Sequence, residues 1–507
     1  MKFRYMIGLC LCLAVICWNC YDDKGNYDYR DSEEVMPVKI DSLKESYSLD
    51  VLDSLKLTPY ITGMDAEENY LFTWYLNSSY DSYRNTRDTV ALTRDLEVAF
   101  DCEAGNYTLI YEIRDKRTDL YVNKKINLEF ASDFAHGWYV VKDVNGETDI
   151  DFVYPDSTVR DNAFSRINRR KLKGEALKIE YQASGYRQEI TNPDGTVTTK
   201  QVAALFVFSK EDLGILNATD LTVYKNYDDF FYDIPQKRTP QNFMKVGTRD
   251  LALINGGQLY LLYGMAKNVG KMSLPMVGDY DLADGMVAHR NKGMMVFDQK
   301  SRSFLYSNGF NTTSLVKFPD KKLQDGSWAV SANGLDADLI TLQPRNTPSL
   351  TQPSLAYALM QKRNREEYYL ADIRFDGGYP FTSFDTLSNS YQVAKADVFA
   401  THQVASCIYF ASGSTLKAHI VSRDNSLPVS VREKELKSFP GETISYIAHI
   451  KSASPKDKFE NLVVLTNSVN GWKLYRFALK GSTFEIEPEP VAVYKGEGTA
   501  RYVMFRV

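Results

Sequence analysis

From about residue 133 onward, pairs of short apolar runs recur along the chain, and most are parted by a tight turn. Trp138-Tyr139-Val140-Val141 meets the run Thr148 to Tyr154 across Asn145-Gly146. Asp194-Gly195 separates two polar strands, the second leading into Val202 to Phe208. Leu251 to Ile254 meets Gln258 to Leu262 across Asn255-Gly256-Gly257, and Met294 to Phe297 meets Phe304 to Tyr306. Leu355 to Met360 meets Tyr368 to Ile373, Ala405 to Phe410 meets Leu416 to Val421, and Leu462 to Leu465 meets Leu474 to Phe477 across Asn470-Gly471. Asn-Gly and Asp-Gly are strong hairpin signals because both residues tolerate positive φ. The seven turn centres fall near 145, 195, 256, 300, 364, 413 and 470, with gaps of 50, 61, 44, 64, 49 and 57 residues.

A strand-rich unit repeating every roughly 40–50 residues, with loop insertions, reads as the blade of a β-propeller. A small antiparallel sheet buries its two faces only against neighbours, which favours closing the array into a ring. The best blade count is seven, with six and eight as alternatives, over residues 133–507. The alternating final run Arg501 to Val507 is expected to complete the first blade, next to the strand after His136. No WD or kelch motif repeats, so the reading rests on hairpin spacing, and a string of separate β-sandwiches is the rival. Ring closure discriminates them: it ties residues near 138 to residues near 505.

Residues 36–132 read as a smaller β-sandwich. Tyr70-Leu71-Phe72-Thr73-Trp74-Tyr75-Leu76 is β-forming throughout, and Gly105 to Asp115 places Tyr107, Leu109, Tyr111 and Ile113 on one face by period two. A Trp strand followed by a Gly-x-Tyr strand is an Ig-like layout, with the Trp in the core. Upstream, Lys2 and Arg4 precede an apolar run from Tyr5 to Cys17 that is too short to span a bilayer, and residues 1–19 read as a secretory signal. Cys20 stands at the switch to polar sequence and is the expected lipid acceptor. Cys17 is the alternative, and Cys17-Trp18-Asn19 lacks the usual small residue before the modified cysteine. Residues 20–35, with Asp22, Asp23, Asp28, Asp31, Glu33 and Glu34, read as a flexible acidic tether.

The run Cys20-Tyr21-Asp22-Asp23-Lys24-Gly25-Asn26-Tyr27-Asp28-Tyr29 resembles the opening of the PKD-like family of Bacteroidetes surface lipoproteins. The strand Gly105 to Asp115 is similar to the Gly-x-Tyr-x-Val-x-Leu-x-Val-x-Asp signature of PKD domains. The resemblance implies an N-terminal PKD/Ig-like domain and a C-terminal propeller-like domain. It also implies an outer-membrane lipoprotein facing the cell exterior, of a kind found beside TonB-dependent nutrient transporters and their lid lipoproteins. On that reading the chain is a non-enzymatic accessory protein that binds peptide or glycan, or docks on the transporter. A propeller hydrolase of polysaccharide or peptide and an adhesion or structural protein are the alternatives.

Composition narrows the chemistry. The formal charge is −5, and loss of Lys2 and Arg4 on cleavage takes it to −7, which argues against a nucleic-acid binder. No basic run is expected to offer a phosphate-binding stripe. Removal of residues 1–19 leaves Cys102 and Cys407 beyond the anchor, far apart in the chain, so a disulfide framework is not expected and both read as buried small hydrophobes. The five histidines, His136, His289, His402, His419 and His449, stand in no zinc spacing, and there is no Gly-x-Ser-x-Gly elbow or phosphate loop. His402 and His419 flank one predicted hairpin and are a candidate contact.

Asp143, Asn145, Glu147, Asp149 and Asp151 alternate across a turn. That pattern reads either as a Ca²⁺ loop or, preferably, as a plain hairpin with solvated acids, since Gly146 is misplaced for an EF-hand. The leading ligand-binding candidates are Tyr224, Tyr227, Phe230, Phe231 and Tyr232 in one aromatic-acidic loop, with Trp328 as a second locus. Aromatic faces stack on sugar rings or peptide side chains; the competing reading is that these rings pack between blades. Replacing the expected lipid acceptor, Cys20→Ala, is predicted to move the protein from the membrane fraction to the soluble fraction. Unchanged membrane attachment, read by fractionation and immunoblot, refutes lipidation at Cys20.

Overall fold

The computed structural model describes residues 32–50, 54–78, 88–100, 105–131, 134–192, 194–246, 250–264, 270–422, 428–455, 457–481 and 483–507. Cys20, the tether motif and Cys102 lie outside these residues. The chain divides into two units, Met1–Ala131 and Ser132–Val507.

The first unit is a β-sandwich. Its larger sheet runs Ser46–Asp50, Tyr121–Ala131, Gly105–Asp115, Tyr70–Ser78, Asp88–Ala91 in spatial order, and two small two-stranded sheets (Lys39–Asp41 with Tyr60–Thr62, and Ser54–Leu57 with Leu96–Ala99) complete it. The Trp strand and the Gly-x-Tyr strand pair antiparallel, with Trp74 opposite Tyr111. Trp74 is fully buried, its ring stacked 4.0 Å from that of Tyr111 and its Nε1 donating to Thr93 O at 2.9 Å. Leu109, Tyr111 and Ile113 all enter this core, with Tyr107 packed against it, as the period-two reading expects.

The second unit is a seven-bladed propeller. Blade 1 takes Gly137–Val144, Glu147–Val153 and Val159–Arg160 from its beginning and Thr499–Arg506 from its end. Blade 2 holds Ala176–Thr191, Val197–Ser209, Leu213–Asn217 and Val223–Asn226; blade 3 has three strands, Pro240–Lys245, Leu251–Asn255 and Gln258–Leu262. Blades 4 to 7 each have four consecutive strands and begin at Leu282, Ala337, Val398 and Thr443. The innermost strand of every blade touches the innermost strand of the next, and the circuit returns from Thr443–Ser454 to Thr499–Arg506.

The packing follows directly from the sequence pattern. Second and third strands are buried on both faces, so they read as unbroken apolar runs, as in Leu251–Asn255 and Gly293–Asp298, where every residue is buried. Alternate residues serve opposite neighbours: Leu205 and Val207 pack toward blade 1, while Ala204, Phe206 and Phe208 pack toward blade 3. Seven hydrophobic clusters result, one in each interface between adjacent blades.

The seam between blades 7 and 1 is where the two ends of the propeller meet. Trp138 lies opposite Phe505 and Val140 opposite Val503 in an antiparallel ladder, as ring closure requires. A buried polar tie crosses the seam. Lys142 Nζ lies 2.7 Å from Asp151 Oδ1, and Trp472 Nε1 of blade 7 donates to Asp151 Oδ2 at 2.9 Å. The backbone N–H of Asn162 adds a third bond to this carboxylate at 2.7 Å. Removing one partner of a buried ion pair leaves the other charge uncompensated, which costs about 3–5 kcal/mol. Asp151→Ala is therefore predicted to lower propeller stability by about that amount in urea denaturation, and the paired exchange Lys142→Met with Asp151→Leu to recover most of it. A single-variant midpoint equal to that of the parent removes this tie from the account of closure.

Candidate functional site at the mouth of the channel

One face of the ring carries the turns between second and third strands and the connections that lead into each innermost strand. In blades 2, 3, 4 and 6 these connections are held by a recurring device: the last residue of the second strand is short and polar. Ser209 Oγ donates to Lys173 O. Asn255 Oδ1 accepts from Thr239 N at 3.1 Å, Asp298 Oδ1 accepts from Asp281 N at 2.8 Å, and Ser412 Oγ donates to Asp397 Oδ2 at 3.3 Å. Each clamp fixes the residue at or just before the start of its own blade's innermost strand, so the rim of the channel is preformed.

Inside that rim lies a polar cavity of ≈ 530 Å³. Asn242, Asp284, Gln299, Thr341, Asp397 and Ser445 are among its lining residues, drawn from blades 3 to 7. Side chains cross-link the innermost strands here: Asn242 Nδ2 donates to Asp284 O at 2.6 Å, Gln241 Nε2 to Asp284 Oδ1 at 3.0 Å, and Ser445 Oγ to Ala500 O at 2.8 Å. Among the channel-facing groups of blades 1, 2 and 7, Lys178 Nζ pairs with Glu180 Oε1 at 3.0 Å and donates to Phe243 O at 2.7 Å. The rings of Tyr446 and Tyr502 lie 4.7 Å apart, half-buried, and desolvation by the surrounding protein pushes both phenols well above their ordinary range. Amides, hydroxyls and carboxylates dominate the mouth, a set suited to hydrogen-bonding a polar ligand. Asp284 and Asp397 are both exposed there, and each is already bonded to a neighbour.

The aromatic loop is placed differently from the ligand-binding reading. Tyr227, Phe230 and Phe231 are buried in the core between blades 2 and 3, and Tyr224 packs against it half-buried. Tyr227 OH donates to Asn255 Oδ1 at 3.0 Å, and its ring lies 4.9 Å from that of Phe231 and beneath the Arg238 guanidinium at 4.7 Å. Tyr227, Phe230 and Phe231 therefore pack between blades rather than offering a face to a ligand. Tyr232 and Trp328 are exposed at 56% and 62%, and neither lines the mouth. Trp328 sits on a small hairpin opposite Lys322, whose ammonium lies 5.1 Å above its ring.

The turn at Asn145-Gly146 forms as a hairpin, with both residues at positive φ. Its acids take separate partners. Asp143 holds Arg501 at 2.6 Å, Asp149 accepts from Ser165 N at 3.1 Å, and Asp151 forms the seam tie. Among the described residues no three His, Cys, Asp or Glu side chains stand together as a metal cage.

The histidine contact is also corrected. His419 lies 3.4 Å from Glu433, while His402 packs against His449, with tilted rings whose centroids are 4.3 Å apart, at the blade 6–7 interface. The partner comes from the next blade because blades interleave side chains across their faces. Cys407 is buried, and burial pushes its thiol up.

A basic run missed in the sequence, Arg169-Arg170-Lys171-Leu172-Lys173, lines a separate surface cleft on the turn-bearing face, against the expectation that no such run exists. Its buried leucine interrupts the charges, which hides the pattern from a simple scan.

The His402–His449 pair generates a pH dependence. Burial, with the facing His402 second, lowers His449 from 6.5 to about 4; burial lowers His402 as well. Arg345, Lys451 and Glu460 are the other charged groups acting on the pair. Because the folded pKa is depressed, the unfolded chain binds the extra proton between pH 6.5 and about 4. The stabilisation is intact above pH 6.5 and falls by up to about 3 kcal/mol on acidification. His449→Asn is predicted to flatten the stability–pH slope over that window by about one proton's worth, or 1.4 kcal/mol per pH unit. Parallel slopes for variant and parent refute it.

Residues 20–176 match the PKD-like family, a span that covers the tether, the sandwich and the first blade's own three strands. No curated protein matches the chain. Among solved structures, the chain is similar to a quinonprotein alcohol dehydrogenase-like protein from Bacteroides thetaiotaomicron, at 11% identity over 92% of this chain and 97% of that one, with a TM-score of 0.43. It is also similar to a DUF4623 family protein from Bacteroides eggerthii, at 11% identity over 91% and 85% with a TM-score of 0.27. A third is PorZ, a bacterial surface component of the type-IX secretion system of Porphyromonas gingivalis, at 10% identity over 73% and 55% with a TM-score of 0.28. At these scores no residue role carries over.

Proposed function

We propose that this protein is a lipid-anchored surface accessory protein of a nutrient-uptake system, in which the propeller's turn-bearing face binds a peptide or glycan or docks on a TonB-dependent transporter and its lid lipoprotein. The observation that carries the reading is the preformed polar mouth, a ≈ 530 Å³ cavity at the centre of a closed ring, lined by hydrogen-bonding side chains from five blades. Its size falls in the usual range for small-ligand sites. The acidic sequence after Cys20 and the PKD-like match over residues 20–176 support the surface placement. In this arrangement the sandwich is a spacer that carries the ring away from the membrane.

Retaining or inverting glycoside hydrolysis calls for two carboxylates about 5–10 Å apart, one of them held protonated by its surroundings. The mouth carboxylates Asp284 and Asp397 are exposed, which gives the hydrolase reading no particular support. Affinity purification of the native protein from outer membranes tests the proposal. Co-purification of a transporter and its lid lipoprotein is the expected result. A protein that purifies alone and degrades a glycan or peptide overturns it.

A further inference from the structure

A second cleft lies on the same face, away from the channel axis. It has a volume of ≈ 640 Å³ and opens to solvent between the connection that follows blade 1 and the turn Ser209–Leu213 of blade 2. Its side chains are Arg169, Arg170, Lys171 and Lys173, with Ser165, Glu147 and Asp212. Four cations against two carboxylates make it positive on a chain whose formal charge is −5.

The backbone holds these cations in place. Helix Ala163–Asn168 ends at Arg169 in the left-handed conformation, φ 57°. Leu172 is then buried in the core between blades 1 and 2, and Leu172–Lys173 pairs with Glu147–Thr148 of blade 1. Lys173 O takes the Ser209 hydroxyl. The run is therefore anchored at both ends while its cationic side chains face the cleft.

Surrounding cations are neutralised: Lys142 holds Asp151, Arg166 holds Asp161, Lys210 holds Glu175 and Arg238 holds Asp228. Among the described residues, none of the four cleft cations is in an ion pair. Arg170 uses a donor on Asn226 Oδ1, which orients its guanidinium. Guanidinium and ammonium groups grouped this way match the oxyanions of sulfate, phosphate or carboxylate.

We propose that this cleft binds an anionic glycan, a chain bearing sulfate or carboxylate groups. Several cations along one cleft fit repeated charges better than a single ion. A peptide is disfavoured because the Leu172–Lys173 edge is already paired and no apolar residue lines the cleft. A lipid surface is disfavoured because two carboxylates, Glu147 and Asp212, stand among the cations and no apolar residue lines the cleft. The proposal does not depend on what the channel mouth binds.

The test is calorimetric titration of the full chain with a heparin-derived oligosaccharide, a neutral dextran oligosaccharide and polyglutamate. Expected are binding of the sulfated probe that weakens with salt and no binding of dextran. Arg170→Ala/Lys171→Ala/Lys173→Ala, at an unchanged melting temperature, is expected to bind the sulfated probe about tenfold more weakly or worse. Lys171→Ala and Lys173→Ala singly are expected to give partial losses if the triple variant is unstable. Asp284→Ala at the channel mouth retains the affinity, which separates failure here from failure at the mouth. The proposal is overturned by a parent protein that ignores the sulfated probe, by a triple variant within about twofold of the parent, or by polyglutamate binding as tightly as the glycan.

Discussion

The propeller depends on a pairing between strands more than 350 residues apart in sequence: Gly137–Val144 with Thr499–Arg506. Without it, blade 1 lacks its innermost strand, and the flanking faces of blades 7 and 1 stay open to water. The cluster at that seam includes Trp138, Val140, Val463, Leu465 and Val503. Burying such side chains contributes roughly 1.5–3 kcal/mol each. Loop-closure entropy grows only slowly with length, so the long separation opposes closure less than its size suggests. The buried Asp151 tie adds register, because its carboxylate accepts from Lys142 and Asn162 on its own blade and from Trp472 on the next.

Closure has a consequence at the axis. Seven innermost strands crowd one channel, and space there is set by backbone approach. Gly285 shows how tight the fit is: a Cβ at this position would stand 2.5 Å from Leu342 Cβ on the neighbouring innermost strand. At the mouth, side chains bond to the backbone of the adjacent strand, as Asn242 does to Asp284 O and Ser445 to Ala500 O. The ring thus turns inter-blade packing into fixed placement of polar groups around a cavity, as a polar binding site requires.

Much of this was legible because second and third strands are buried on both faces. Runs such as Leu251–Ile254 and Met294–Phe297, with glycine and asparagine nearby, announce their hairpins, and six of the seven predicted turn centres mark that turn in their blades. The centre near 195 does not: it joins the long first and second strands of blade 2, whose second-to-third turn lies at Ser209–Leu213. Most outermost and innermost strands went unread, since the former are often short and the latter polar toward the channel; the alternating run Arg501 to Val507 is an exception. The clamp residues Ser209, Asn255, Asp298 and Ser412 form a true internal repeat, but their identities vary because each needs only a short polar side chain at a strand end. The aromatic loop misled for a related reason. Tyr and Phe flanked by acids look like a binding loop whether the rings face solvent or the neighbouring blade, and only the three-dimensional position of Asn255 decides the matter for Tyr227.

The same logic separates what the ring fixes from what it leaves adjustable. Inter-blade cores and the seam tolerate little change, since their residues touch two blades, and each clamp ties a connection to its own blade. The connections into the innermost strands bury some residues in the inter-blade cores, such as Leu172 and Phe231, and also carry exposed residues of the turn-bearing face: the basic run before blade 2, Tyr232 before blade 3 and the Trp328 hairpin before blade 5. Chemistry on that face can therefore vary from connection to connection without disturbing closure. A polar, carboxylate-bearing mouth and a cationic cleft coexist on one face for this reason: the mouth is built from the strands that make the ring, the cleft from a segment the ring holds.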